Sequence, residues 1–181
     1  MKKIMMTIAA VICCAMATTV FTSCGDDDEK TPSTDTKPVA AYMEYKLEVG
    51  DQMLTYFDMT VEYYDSDGTL KTEQMTQKTW SKTVRAKLPV TLGARMVGTP
   101  KANIDLNPQE KITYAYGYYY TGYAVSSTDL VVGNVASNGV SSSYDVPSDK
   151  VAEWIQRVAG GIAGFQVAFD ANGKATSSTW K

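Results

Sequence analysis

The sequence predicts a mainly β protein, an antiparallel two-sheet sandwich with one short helix in its C-terminal half. Three observations predict it. Apolar and polar residues alternate through much of the chain beyond Pro38, the pattern of strands with one wet face. Turn residues recur about every ten positions, the spacing of short strands in a sandwich or barrel. A single stretch, beginning near Ser148, carries apolar residues at helical spacing instead.

The chain opens on "MKKIMMTIAAVICCAMATTVFTSC". Two lysines precede an apolar, small-residue run from Ile4 to Val20, and a small-residue site ends in Cys24. This is the arrangement of a secretory signal. Thr7, Thr18, Thr19 and the alanines make it poorer in strongly apolar residues than a membrane span requires. "FTSC" resembles the lipobox of bacterial lipoproteins, with Phe21 where leucine is usual, and "GDDDE", Gly25 to Glu29, resembles the acidic stretch of surface-exposed Bacteroidetes lipoproteins. The resemblance implies cleavage after residue 23, lipidation of Cys24, and a place on the outer face of a bacterial outer membrane. Acyl chains contribute about 0.8 kcal/mol per buried methylene, so two or more anchor a protein that does not span.

Residues 24–38, from the lipidated cysteine through "GDDDEKTPSTDTKP", hold no large apolar side chain. Such a segment cannot offset its ordering entropy and reads as a flexible acidic tether. Residues 39–181 are then one β domain, large enough for one sizeable core.

Within it, "MEYKLEV" sets Met43, Tyr45, Leu47 and Val49 against Glu44, Lys46 and Glu48, and "YFDMTVEYY" repeats the alternation. "DSDG", Asp65 to Gly68, is a hairpin turn. The polar return strand Thr69 to Gln77 suits a sheet edge. In "TWSKTVRAKLPVTLG", Pro89 marks an edge or a bulge. "GTPKANIDLNPQEK" reads as a crossover between sheets. A tyrosine-rich strand follows from Ile112 to Val125, then short strands at Leu130 to Val135 and Val140 to Val146. Ser148 is placed to cap a helix whose stripe is Val151, Trp154, Ile155, Val158 and Ala159, with Gly160 and Gly161 ending it. "GGIAG" reads as a turn, and "DANG" as the last hairpin. The sandwich is of the immunoglobulin-like kind; the alternative is a small, closed, lipocalin-like barrel.

Composition excludes several chemistries. There is no histidine, which removes Ser-His-Asp and Cys-His triads and the common zinc sites. Cys13 and Cys14 leave with the signal and Cys24 takes lipid, so no thiol remains. The 17 basic residues become 15 once Lys2 and Lys3 are removed, against 20 acidic ones, about −5 net. With no basic cluster, nucleic acid is not an expected partner. "DSDG" and "DANG" lack the calcium-loop spacing, having Tyr63 and Ala168 where an acid or amide is needed. No metal or cofactor is expected, and oligomeric state carries no signal.

"YAYGYYYTGY", residues 114 to 123, packs six tyrosines into ten positions. Strand parity places Tyr114, Tyr116, Tyr118 and Tyr120 on one face and Ala115, Gly117, Tyr119 and Thr121 on the other. If the four-ring row faces solvent it is a platform for a glycan or a protein; if it is core, the small face is the wet one. The expected function is non-enzymatic binding of an extracellular glycan or protein. Two alternatives stand beside it: a structural subunit of an envelope or fibre assembly, joined through the edge strand Thr69 to Gln77 or the C-terminal strand, and a carboxylate-dependent glycan hydrolase.

Overall fold

A computed structural model describes residues 36–180. The signal segment, Cys24 and the tether up to residue 35 lie outside the described residues. In order the elements are β1 (Ala40–Val49), α1 (Asp51–Tyr56), β2 (Phe57–Tyr64), β3 (Leu70–Gln74), β4 (Thr79–Lys87), β5 (Val90–Pro100), β6 (Ile112–Val125), β7 (Val131–Val146), a 3-10 turn (Ser148–Lys150), α2 (Val151–Val158), β8 (Gly160–Phe169) and β9 (Ala175–Thr179).

The strands form two antiparallel sheets, one of four in the order β4-β1-β6-β7 and one of five in the order β3-β2-β5-β8-β9. Each sheet keeps two edges, so the architecture is a sandwich and not a closed barrel. The link after Pro100 carries the chain from the five-stranded sheet to the four-stranded one, as its turn-rich composition predicts. Among the described residues no helix is long and apolar enough to cross a membrane.

The core lies between the sheets. β1 faces β5 and β6 faces β8, and the alternating positions Met43, Leu47, Met59, Val61, Leu92, Met96, Phe165 and Val167 are all closed to solvent. Burying one such side chain contributes about 1.5–3 kcal/mol. Tyr45 also joins the layers through its hydroxyl, which donates to the Tyr64 carbonyl at 3.1 Å and accepts from the Gly93 amide at 3.2 Å. A side chain at Gly93 is excluded there, because its Cβ would stand 2.3 Å from the Phe165 carbonyl oxygen. The helix α2 covers the core with Val151, Trp154 and Ile155.

Several local expectations are corrected. Ser148 opens a 3-10 turn and makes no side-chain cap, so the α-helix begins at Val151. Gly160 to Gly164 are strand, not turn: β8 starts there, and Gly164 lies so close to Arg95 of β5 that a Cβ would meet the Arg95 backbone at 2.9 Å. The two short strands expected after residue 130 are one strand, β7, with a register break opposite Gly122 to Ala124. The short helix α1 has no counterpart in the sequence reading. Both hairpins form as predicted, Gly68 and Gly173 taking φ of 74° and 75°, values that favour glycine.

Candidate functional site

The tyrosine row lies on the inner face of β6. Tyr114 and Tyr120 are each only 5% exposed, while Tyr116 and Tyr118 are half-buried and packed against the core. Tyr120 stacks on Phe165 with centroids 4.4 Å apart, Tyr118 stacks on the same ring at 5.5 Å, and Tyr114 meets Trp154 edge-on at 5.7 Å. Burial drives the Tyr114 hydroxyl above the ordinary tyrosine range. Among the described residues the one buried side-chain polar atom without a hydrogen-bond partner is Trp154 Nε1. None of the four phenol oxygens is therefore stranded, and the hydroxyl cost of an inward row is avoided. The residues named as candidate ligand contacts thus line the interior, and the small face of β6 is the one turned to solvent.

That outer face is built by cross-strand rows over the four-stranded sheet. Ser81, Lys46, Tyr119 and Gly139 form one line from β4 to β7, and Thr83, Glu44, Thr121 and Ser137 form the next. A third brings Arg85 beside Tyr42 and Tyr42 beside Tyr123. These two rings stack at 5.7 Å with planes 17° apart, and the Arg85 guanidinium stands 5.8 Å from the Tyr42 centroid.

Tyr119, with Tyr123, breaks the run of small residues on the outer face of β6. A Cβ on Gly139 would stand 2.6 Å from the Tyr119 ring carbon Cδ1, and one on Gly117 would stand 3.1 Å from Cε2 and from the hydroxyl. The ring therefore lies flat along the sheet, over two glycines that leave room for it. The glycine pattern in the sequence carries this signal, since Gly117 and Gly139 both share the parity of Tyr119 once the register is known. Lys46 Nζ lies 5.4 Å from the ring centroid and 2.7 Å from Glu48 Oε1. The hydrogen bond to Glu48 raises the Lys46 pKa above its ordinary value.

Tyr119 borders two surface depressions. The larger, of about 650 Å³, runs past Glu44, Lys46, Ser137 and Asn138, and the other, of about 400 Å³, runs past Glu48, Lys78 and Ser141 to Ser143. Hydroxyls, an amide, carboxylates and ammonium groups line them together with tyrosines, Tyr45 and Tyr120 beside Tyr119 in the larger and Tyr116 beside it in the smaller. Among the described residues no three Asp, Glu, His or Cys side chains come together as metal ligands. Three carboxylates among the described residues, those of Asp67, Glu73 and Asp145, have clearly shifted pKa values, all lowered by hydrogen bonds.

No known protein family, curated protein or solved structure matches the chain.

Proposed function

We propose that this chain is a non-enzymatic, lipid-anchored domain on the outer surface of a bacterial outer membrane, and that it binds an extracellular glycan across the outer face of its four-stranded sheet. The observation that carries the ligand reading is the Tyr119 ring, laid flat over Gly117 and Gly139 between two surface depressions of mixed polar and apolar lining. A sugar ring offers an apolar C–H face and a rim of hydroxyls. A ring already fixed by its neighbours can meet that face with little further loss of rotamer freedom. Glu44, Lys46, Ser137 and Asn138 stand where donors and acceptors for the rim are needed. The stacked Tyr42 and Tyr123 pair lies four residues along the strands from Tyr119, roughly 13 Å at the rise of an antiparallel strand, which suits a ligand of more than one sugar unit.

The address rests on residues 1–29, through the lipobox-like "FTSC" and the acidic "GDDDE". The non-enzymatic reading is supported by composition, since a chain with no histidine has no Ser-His-Asp or Cys-His triad and none of the common zinc sites. A glycan array probed with the wild-type chain and with Tyr119→Ala tests the ligand reading. Binding to a defined set of oligosaccharides that drops about tenfold or more in the variant is the expected result. A silent array, or binding that ignores Tyr119, overturns it.

A further inference from the structure

Four strands end the two sheets, β4 and β7 in one, β3 and β9 in the other. An edge strand presents unpaired N–H and C=O groups to any strand that approaches, and proteins guard such edges with charge, proline, shortness or cover. Three of these edges are guarded. β4 carries Lys82, Arg85 and Lys87, and its Lys82 holds Glu73 of β3 at 2.6 Å. β9 is five residues long.

β7 is unlike them. It runs for 16 residues, and from Val131 to Tyr144 it contains neither a charged residue nor a proline. Val131, Val135 and Val140 are 56%, 54% and 37% exposed along it. The register break near Gly133 disturbs only its first part; from Ala136 to Asp145 its pairing with β6 is continuous. From Ala136 to Tyr144 this leaves a regular, uncharged edge about 30 Å long at the usual strand rise.

We propose that the free edge of β7 is an interface between two copies of this chain, the two β7 strands pairing antiparallel about a two-fold axis. The charge pattern selects a second copy. In such an isologous contact a strand meets its own reversed sequence, so charges of one sign on it oppose each other and destabilise the pair. On β4 the pairing would set Lys82, Arg85 and Lys87 against the same residues of its copy. On β7 it meets no charge before Asp145, in a chain whose net negative charge, about −5 without Lys2 and Lys3, otherwise makes copies repel. Backbone pairing along one strand buries less than the roughly 1,200 Å² of a standard stable interface. The dimer is therefore weak and forms only in concentrated protein or where copies are held together.

Sedimentation equilibrium of the full chain in density-matched detergent, from low micromolar to millimolar protein, tests this. A monomer–dimer equilibrium is expected. Val140→Lys, and separately Ser141→Lys, should each weaken it about tenfold or more, while Thr72→Lys on the β3 edge leaves it unchanged. Circular dichroism checks that each variant remains folded. A monomer throughout the range overturns the proposal. So does association that persists in both folded β7 variants, or association lost on Thr72→Lys, which would place the contact on another edge or on a different partner.

Discussion

Glu73 Oε1 lies 2.6 Å from Lys82 Nζ, and that contact ties the β3 edge of one sheet to the β4 edge of the other. The same oxygen accepts from the Tyr63 hydroxyl at 2.6 Å, and the second carboxylate oxygen accepts from the Trp80 indole at 2.9 Å. Hydrogen bonds from Lys82, Tyr63 and Trp80, in that order, pull the Glu73 pKa from its ordinary 4.5 to about 2.

Glu73→Gln should cost about 1 kcal/mol at neutral pH, since the partners are partly exposed and solvent screens the pair. The pH dependence has a definite sign. A carboxylate whose folded pKa is depressed contributes fully above its unfolded value and loses that contribution as pH falls toward the folded one. The window here runs from about 4.5 down to about 2. Urea denaturation of both proteins at pH 7 and pH 3 should show the gap between them narrowing at the lower pH. An unchanged gap would mean that the clasp does not depend on the charge of Glu73.

Tyr119 and Tyr120 are neighbours in the chain with opposite duties. Tyr120 is stacked on Phe165 in the core, so Tyr120→Ala should cost about 3–5 kcal/mol in thermal or denaturant unfolding, as aromatic truncations in cores do. Tyr119→Ala removes a ring from the wet face and should cost about 1 kcal/mol or less. Its larger effect falls on glycan binding. Equal losses of stability in the two variants would contradict the assignment of faces.

Trp154 packs edge-on against Tyr56, Phe57 and Tyr114, with centroids 5.7, 5.4 and 5.7 Å away, yet its indole N–H has no partner. Trp154→Ala should cost about 3–5 kcal/mol through the cavity it opens. Trp154→Phe also loses volume, but it removes a buried donor that makes no hydrogen bond, so part of that loss is offset. Chemical denaturation should place the Phe variant well above the Ala variant. If the two are equally destabilised, the packing of the aromatic cluster does not govern this site.

Alternation made β1 and β2 legible because each has one buried face. Met43, Tyr45, Leu47 and Val49 are all buried, as their parity requires. Pairing was not legible: β1 lies between β4 and β6, and no local feature of β1 encodes partners so distant in sequence. For β6 the two faces could be separated but not ranked. Which face is inner depends on Phe165 and Trp154, which reach the tyrosines only after the sheets have packed. Gly160 to Gly164 looked like a turn because glycine commonly marks one; in β8 Gly164 instead permits close approach to β5. Six residues of α1 are too few to show a helical period.

The lipid anchor is tested at Cys24. An apolar run ending in Ser23 and Cys24, with "GDDDE" behind it, resembles a lipoprotein signal at every position but Phe21. Cys24 should accordingly be the first mature residue and carry the acyl chains, which supply most of the membrane affinity. Cys24→Ser removes the acylation site and should leave the β domain folded, since among the described residues the buried core begins at Ala40. Mass spectrometry of the mature N-terminus should find a lipid-modified Cys24, and detergent partitioning should move the Ser variant out of the detergent phase. Wild type and variant partitioning alike, or a mature N-terminus upstream of residue 24, would remove both the anchor and the surface address built on it.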